Sequence, residues 1–349
     1  MPARDSIRVA VVGATGYVGA ELVGYLAGHS GARLTAVTSE QSAGKALAEV
    51  HPFLQGTCAL SLVPFDPKTV AGEADVAFTA LPHGASAAGV AALLDAGVKV
   101  IDLSADFRLS DPNEYARWYG THPAPALLDE AVYGLTEFAR ASLPGTRLVA
   151  NPGCYPTGAL LGLLPLFDAG HIEPHGIVID AKSGVTGAGR TVATEYLFSE
   201  ISGSFRAYKV GIHRHAPEID GNVGARTGGE HSLTFVPHLL PIKRGLLSTI
   251  YTRLRPGVDL AAVEKTYRAQ YDQERFVLVR GTRLPEIREV VGTNDCAIGW
   301  ALDAGSNTLV TVTVIDNLGK GAAGQAVQNF NAMHGLPEST GLERVALVP

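Results

Sequence analysis

The chain has few cysteines, and they do not cluster. Cys58, Cys154 and Cys296 lie far apart, are odd in number and form no CxxC pair. This excludes a disulfide scaffold and offers no zinc-type spacing, so we expect no metal site. A cytoplasmic location, where thiols stay reduced, fits this cysteine usage.

Charge and long apolar runs are also scarce. The net charge is −6 and no dense Lys/Arg stripe is present, which argues against binding to nucleic acid. No apolar stretch reaches the roughly 20 residues of a membrane span. Residues 1–6 lead straight into a strand pattern without a signal-type segment. With 349 residues, of which 46% are hydrophobic, the chain predicts a globular protein of two domains.

Glycine, in contrast, is abundant, and its first cluster lies near the start. Residues 7–12 are typical of a buried parallel strand, and apolar residues recur at helical spacing over about 17–27. The glycines between them form GxxGxxG, a variant of the dinucleotide fingerprint, in which glycines admit a pyrophosphate to the backbone. A purely structural turn is the alternative. The predicted cofactor contacts are Gly13, Thr15, Gly16, Tyr17 and Val18.

The end of the second predicted strand bears on the choice between NAD and NADP. An NAD enzyme usually places an acidic residue roughly twenty residues after the fingerprint. Here Thr38 and Ser39 end the strand, with Ser42 and Lys45 nearby. Such groups suit a 2′-phosphate and favour NADP(H), whereas Glu40 argues for NAD. A turn without ligand contacts is the alternative for the two hydroxyl residues.

Strand and helix patterns alternate through the remainder of the first 150 residues. Ligands of such doubly wound sheets bind beyond the carboxyl ends of the strands, where the loops at 81–84 and 104–108 lie. Arg108 could bind a phosphate or carboxylate there, or pair with Asp102 or Asp106. The predicted strands are 34–38, 75–80 and 98–103, and the predicted helix is 85–96.

Cys154 comes after a short strand pattern at 148–150 and the turn Asn-Pro-Gly at 151–153. An apolar run at about 157–167 is long enough for a helix. A cysteine at a helix N-terminus has its thiolate stabilised by the helix dipole, and the thiolate is the reactive form. We therefore predict a nucleophile, with a packed apolar thiol as the alternative.

The second half of the chain changes its pattern to strands that come one after another. They predict a mixed or antiparallel sheet, in which a glycine-rich loop at 182–190 lies after the first strand. The predicted fold is an α/β Rossmann dinucleotide-binding domain at 1–150, completed by a C-terminal helix at 317–349. An α+β domain at 151–316 accompanies it. Its predicted strands are 177–181, 232–238, 247–253, 296–300 and 308–315.

A dense polar cluster combines His213, Arg214 and His215 with Glu218, just before a helix. Neutral imidazole is the natural proton carrier near pH 7, and a carboxylate can orient it. A helix cap or an interface cluster is the alternative. The two histidines could also suggest a metal site, but no third ligand lies at a recognisable spacing.

Seven motifs together carry a family resemblance that spans nearly the whole chain. They are residues 13–19 (GATGYVG), 104–108 (SADFR), 151–157 (NPGCYPT), 183–190 (SGVTGAGR), 213–218 (HRHAPE), 237–239 (PHL) and 317–325 (NLGKGAAGQ). In this order they resemble the N-acetyl-γ-glutamyl-phosphate reductases, NADPH-dependent enzymes of arginine biosynthesis with a semialdehyde dehydrogenase-like fold. One departure is Glu40, where the family usually carries a basic residue.

The resemblance implies a mechanism. The Cys154 thiolate attacks the acyl phosphate, phosphate leaves, and the thioester takes hydride from NADPH before the semialdehyde is released. A thioester accepts hydride, whereas a carboxylate does not. His215 would donate the proton, with His213 as the alternate and Glu218 as the orienting partner.

The resemblance also implies binding residues and self-association. Arg108, Asn151 and Lys209 would hold the phosphate and carboxylate of the small-molecule substrate. Ser183 and Gly184 would lie near the nicotinamide. By the same analogy Asn317 would contact the cofactor, and the sheet of the second domain would form a homodimer or homotetramer.

Three other functions fit parts of the sequence. Aspartate-semialdehyde dehydrogenase shares the architecture and thioester chemistry, but the HRHAPE run favours the reductase. A non-catalytic dinucleotide sensor would need no nucleophile. A cysteine hydrolase would leave the glycine fingerprint unexplained.

Overall fold

The structure, a computed structural model, describes residues 6–347, so predictions that fall on 1–5 and 348–349 lie outside it. The chain forms two compact units. Of the described residues, the first unit contains 6–152 together with Ala322–Glu343, and the second contains Gly153–Gly321 with 344–347. Residues 317–321, predicted to belong to the first domain, lie in the second unit. There the Asn317 side chain accepts a hydrogen bond from the Gly245 N–H at 2.8 Å.

In its described part, the first unit contains six short strands: β1 (Ile7–Val12), β2 (Ala32–Thr38), β3 (Val76–Thr79), β4 (Lys99–Asp102), β5 (Val132–Tyr133) and β6 (Leu148–Ala150). They form one sheet in the order β2-β1-β3-β4-β6-β5, and every pair is parallel. The central strands are buried, as their continuous apolar runs predict for a sheet covered on both faces. The predicted doubly wound fold is confirmed.

The helices of this unit before β6 are α1 (Tyr17–Leu26), α2 (Leu47–Val50), α3 (Pro67–Glu73), α4 (Ala87–Asp95), α5 (Pro112–Tyr119) and α6 (Thr136–Ala139). Local sequence explains where two of them begin. Asp66 and Asp111 accept backbone N–H groups of the first turns of α3 and α5, and each precedes a proline. An aspartate cap followed by proline is a favoured helix start.

The second unit contains a seven-stranded mixed sheet. Its strands are β7 (Ile177–Gly184), β8 (Arg206–Ala207), β9 (Leu233–Leu240), β10 (Leu246–Arg253), β11 (Val277–Gly281), β12 (Cys296–Asp303) and β13 (Thr308–Ile315). Their order is β11-β12-β13-β10-β7-β9-β8. The pairs β7–β9 and β11–β12 are parallel and the others antiparallel, which confirms the predicted α+β domain.

The helices before its last strands are α7 (Cys154–Asp168), α8 (Phe198–Ile201), α9 (Ala216–Thr227) and α10 (Leu260–Tyr271). Helix α7 packs closely on the sheet because Gly162 faces it: a Cβ there would lie 2.9 Å from Ile250. Pro165 has no N–H to donate to the Leu161 carbonyl. The Tyr271 hydroxyl donates to that carbonyl instead, at 2.7 Å.

The chain returns to the first unit through one π-helical turn, Gly319–Ala323, followed by α11 (Gly324–Met333). Every residue of α11 is buried, including four with carboxamide side chains. Within residues 6–347, no helix is long and apolar enough to cross a membrane, and no group of three or more acidic, histidine or cysteine side chains could hold a metal.

Candidate active site

The glycine loop between β1 and α1 has the geometry that a bound dinucleotide requires. Gly13 has a φ of +84°, and a Cβ there would lie 2.6 Å from the Ala80 carbonyl oxygen. A Cβ on Gly19 would lie 2.4 Å from the Gly13 oxygen. Gly16 is the extended N-cap of α1 and provides no side-chain cap. The first N–H groups of a helix have no partner within it and favour phosphate, so this loop fits the pyrophosphate of NADP.

Three hydroxyl residues brace this loop. The Gly13 N–H donates to Thr38 Oγ1 at 3.3 Å, and Thr15 Oγ1 lies 3.2 Å from Ser39 Oγ. Thr38 and Ser39 are buried, and these contacts hold the loop; their contact with the cofactor stays a prediction. The Glu40 carboxylate, the acidic group that argued for NAD, accepts the Phe65 N–H at 2.8 Å.

Arg108 lies half-buried after β4 and is held by backbone carbonyls. Its Nε donates to the Asn151 oxygen and its Nη2 to the Leu103 oxygen, both at 2.8 Å. Asn151, predicted to contact substrate, is fully buried, and its amide nitrogen donates to the Ala322 oxygen at 3.1 Å. Its side chain therefore lies inside the unit.

The two carboxylates proposed as alternative partners of Arg108 hold the neighbouring loops. Asp102 accepts hydrogen bonds from three hydroxyls, and burial raises the pKa of its carboxyl group. Asp106 accepts three backbone N–H groups and so caps α4 from about twenty residues away. The sequence carries no local signal for this cap. The donors to the two carboxylates are the hydroxyls of Thr79, Ser86, Ser104 and Tyr115 and the amides of Gly84, Ser86 and Ala87.

Cys154 is the first residue of α7, which begins three residues earlier than predicted. Its N-cap, Gly153, is extended and provides no side-chain cap. The Gly153 N–H donates to Glu218 Oε1 at 2.8 Å, and Glu218 is 2% exposed. Glu218 thus anchors the turn before the thiol, a contact that the sequence did not predict. Gly321 lies against Cys154, because a Cβ at 321 would be 2.8 Å from the cysteine Cβ.

The two histidines of the HRHAPE motif lie together, with ring centroids 5.0 Å apart. His213 uses both ring nitrogens: Nδ1 accepts the His215 N–H at 3.1 Å, and Nε2 lies 3.3 Å from the Tyr208 hydroxyl. The Tyr155 ring contacts both imidazoles edge-on. Burial raises the pKa of Tyr155 and raises that of Tyr208 to about 12, so both phenols stay protonated. Neither tyrosine was predicted, although Tyr155 directly succeeds the cysteine.

The remaining predicted residues lie in the second unit, at the end of β7 and on loops. Ser183 is buried at the end of β7, and a Cβ on Gly184 would lie 2.8 Å from the Lys243 oxygen. The Asn317 amide donates to Thr186 Oγ1 at 2.9 Å and thereby holds the glycine-rich loop after β7. Lys209 is exposed and adopts a φ of +49°, a left-handed conformation that is uncommon for residues other than glycine.

Comparison with solved structures supports the fold. Aspartate semialdehyde dehydrogenase II from Vibrio cholerae, complexed with ASA, matches with a TM-score of 0.72 and 18% identity, over 95% of this chain and 99% of that one. The aspartate semialdehyde dehydrogenase from Candida albicans, solved with NADP, matches with a TM-score of 0.68 and 16% identity over the same shares. At these identities the likeness concerns the fold alone.

Family and sequence comparisons are more specific. The semialdehyde dehydrogenase NAD-binding domain matches residues 8–145, and the semialdehyde dehydrogenase dimerisation domain matches residues 154–317. The N-acetyl-γ-glutamyl-phosphate reductase of Desulforapulum autotrophicum is 48% identical over 338 residues, 97% of this chain and 98% of the relative. That of Laribacter hongkongensis is 48% identical over 345 residues, 98% and 100% of the two chains. The chain belongs to the N-acetyl-γ-glutamyl-phosphate reductase family.

Proposed function

We propose that this protein reduces N-acetyl-γ-glutamyl phosphate to N-acetylglutamate 5-semialdehyde and phosphate with NADPH, in arginine biosynthesis. The observation that carries the proposal is the placement of Cys154 as the first residue of α7, behind a glycine that provides no side-chain cap. A thiolate there gains the stabilisation of the helix N-terminus. The reducing cytoplasm would keep such a nucleophile active.

The thiolate of Cys154 attacks the acyl carbon of the acyl phosphate. A C–S bond forms, the C–O bond to phosphate breaks, and inorganic phosphate leaves with the bonding electron pair. The product is a thioester on the protein, an acyl group that accepts hydride. Glu218 supports this step by fixing the turn before the cysteine through the Gly153 N–H.

The cofactor would be held by the glycine loop, with its pyrophosphate at the N-terminus of α1. When bound, NADPH supplies the hydride that reduces the thioester carbon. Thr38 and Ser39 keep the loop in shape, and Asn317 holds the glycine-rich loop after β7. We assign Ser183 and Gly184, at the end of β7, to the nicotinamide side.

We assign the proton transfer to His215, with His213 as the alternate. Both ring nitrogens of His213 are engaged, by the His215 N–H and by the Tyr208 hydroxyl. His215 would hold the proton that the reacting oxygen needs as negative charge develops on it, and would take it back when the C–S bond breaks. Tyr155 confines both imidazoles through edge-on ring contacts.

Arg108 and Lys209 are the cations that we assign to the phosphate and carboxylate of the substrate. Carbonyl bonds at Nε and Nη2 fix the plane of the Arg108 guanidinium, which suits a forked contact with an oxyanion. The left-handed backbone of Lys209 is of the kind that clusters at functional sites. Asn151, predicted as a direct contact, would act from within the fold.

We further propose a homodimer or homotetramer formed through the sheet of the second unit. Along β10, Ser248 and Ile250 are buried, whereas the alternating residues Thr249 and Tyr251 are partly exposed and exposed, respectively. One face of this strand is therefore left for a second copy of the chain. Light scattering of the purified protein should give a mass at least twice that of the chain, and a monomer would contradict this.

The reaction is tested in the reverse direction. Reduction of NADP⁺ should require both inorganic phosphate and N-acetylglutamate 5-semialdehyde, because phosphate must release the acyl group from the thioester. Aspartate semialdehyde should give no comparable turnover. Turnover with aspartate semialdehyde and none with N-acetylglutamate 5-semialdehyde would instead identify an aspartate-semialdehyde dehydrogenase.

A further inference from the structure

Helix α11 carries a buried carboxamide, Asn329, whose polar atoms are all hydrogen-bonded within the first unit. Its Nδ2 donates to the Gly134 oxygen at 2.7 Å and to Asn151 Oδ1 at 3.0 Å. Its Oδ1 accepts the Thr136 hydroxyl at 2.7 Å. The approach is close, because a Cβ on Gly134 would lie 2.4 Å from Asn329 Nδ2. A fully satisfied buried amide has one orientation and holds its partners in place.

The partner that matters is Asn151, which is itself fully buried. Its Oδ1 is fixed by Asn329, and its Nδ2 donates to the Ala322 oxygen at 3.1 Å. Its backbone N–H donates to the Asp102 oxygen at 2.8 Å. These bonds fix this residue, and its backbone carbonyl oxygen accepts Arg108 Nε at 2.8 Å.

We infer that Asn329 is a positioning residue for substrate phosphate: it fixes Asn151, whose carbonyl orients the Arg108 guanidinium. The inference rests on the proposed function of Arg108 as a phosphate ligand. Asn329 touches no reacting atom, since its side chain is buried. A forked arginine contact depends on the plane of the guanidinium, so a small rotation weakens oxyanion binding without removing the charge.

The direct test is Asn329→Asp, which keeps the shape but replaces two N–H donors by a carboxylate facing two oxygens. In the reverse assay we expect the KM for inorganic phosphate to rise about tenfold, while kcat and the KM for NADP⁺ change less than about twofold. Asn329→Ser is neutral and keeps one donor, so it should fold readily and raise the phosphate KM about threefold.

Asn331→Asp is the matched control. Asn331 lies on the same helix, is fully buried and makes as many bonds, to the Glu338 and Thr340 oxygens and to His29. The Asn331→Asp variant should have a lower melting temperature, as Asn329→Asp should, yet its phosphate KM should stay within about twofold of the wild-type value. An equal rise of KM in both variants would show a general loss of structure and overturn the inference.

A double-mutant cycle with Arg108→Lys separates the inference from the proposed function. If Asn329 acts through Arg108, then Asn329→Asp adds less than about a twofold rise of phosphate KM in the Arg108→Lys background. If the fold-changes of the phosphate KM in the two single variants multiplied in the double variant, the two residues would act independently and the inference would be overturned. If Arg108→Lys raises the phosphate KM and Asn329→Asp does not, the inference fails while the function stands. If the wild type shows no phosphate-dependent turnover, the proposed function itself fails.

Discussion

Two helices of this protein begin in nearly the same way. Helix α1 starts after Gly16, with φ −75° and ψ 166°, and α7 starts after Gly153, with φ −70° and ψ 157°. Each comes after a buried strand, and neither has a side-chain cap at its N-cap residue. At both starts, therefore, the N-cap residue has no side chain that could accept a hydrogen bond at the positive end of the helix dipole.

The two starts differ in the residue that succeeds the glycine. After Gly16 comes Tyr17, which is 38% exposed, and a Cβ on Gly16 would meet only one atom, 3.8 Å away. After Gly153 comes Cys154, in contact range of Gly321, while Glu218 already binds the Gly153 N–H. The same backbone thus favours an external anion at α1 and negative charge on the protein's own thiol at α7. The start of α1 is suited to binding the phosphates of a cofactor, and the start of α7 is suited to activating the thiol.

The largest expected effect comes from breaking the α7 side of this comparison. Cys154→Ser replaces the thiolate by a hydroxyl that stays protonated, so kcat should fall on the order of 10⁴-fold or more. Binding of NADPH, measured by fluorescence titration, should persist because the α1 start is intact. Cys58→Ala is the control and should stay active, since Cys58 is a buried thiol in the other unit. Substantial turnover by the serine variant would show that another group is the nucleophile.

A smaller effect is expected from breaking the α1 side. Gly19→Ala would place a Cβ 2.4 Å from the Gly13 oxygen and displace the loop that we assign to the pyrophosphate. We expect the KM for NADPH to rise about 100-fold, because displacements near 1 Å have effects of this size.

Gly28→Ala, just beyond the end of the same helix, is the matched control, because no atom lies within 4 Å of its Cβ position. It should bind NADPH normally. Alkylation of Cys154 by iodoacetamide should be unchanged in both variants. Slower alkylation in Gly19→Ala would show that the two helix starts do not act independently.

Gly321→Ala tests how closely the thiol is held. The added Cβ would lie 2.8 Å from the Cβ of Cys154, so the cysteine or the π-helical turn must shift. A strain near 1.4 kcal/mol corresponds to about a tenfold loss in kcat, and we expect a loss of this order with a KM for NADPH that is unchanged. Gly305→Ala, in the turn between β12 and β13, has more room and should be neutral. A fully active Gly321→Ala would mean that the thiol tolerates displacement.

Local sequence patterns predicted much of this molecule because local physics determines those parts. The glycine fingerprint, the strand–turn–helix around Cys154 and the change from alternating to successive strands all depend on residues close together in the chain. The apolar run of α7 predicts a start near Thr157, but the extended Gly153 lets the helix begin at the cysteine.

The contacts that complete the site could not be predicted this way. Glu218 meets Gly153 from 65 residues away, and Asn329 meets Asn151 from 178 residues away. Such pairs form only once sheets and helices have packed, and no spacing in the sequence encodes them. The hydroxyls of Thr38 and Ser39 show the same limit, because the sequence does not predict their hydrogen bonds to Gly13 and Thr15.

The smallest expected effect sharpens the comparison at Glu218, because the N-cap N–H of α7 donates to this carboxylate whereas that of α1 donates to the Gly13 carbonyl oxygen. Glu218→Ala leaves the buried Gly153 N–H without its acceptor, which should destabilise the second unit by about 1–3 kcal/mol. Glu218→Gln keeps a carbonyl oxygen at that position and should recover most of the loss. The urea midpoint of each variant measures this, with the iodoacetamide rate at Cys154 as a second readout. If alanine and glutamine were equally destabilising, the charge of Glu218 rather than its hydrogen bond would hold the start of α7.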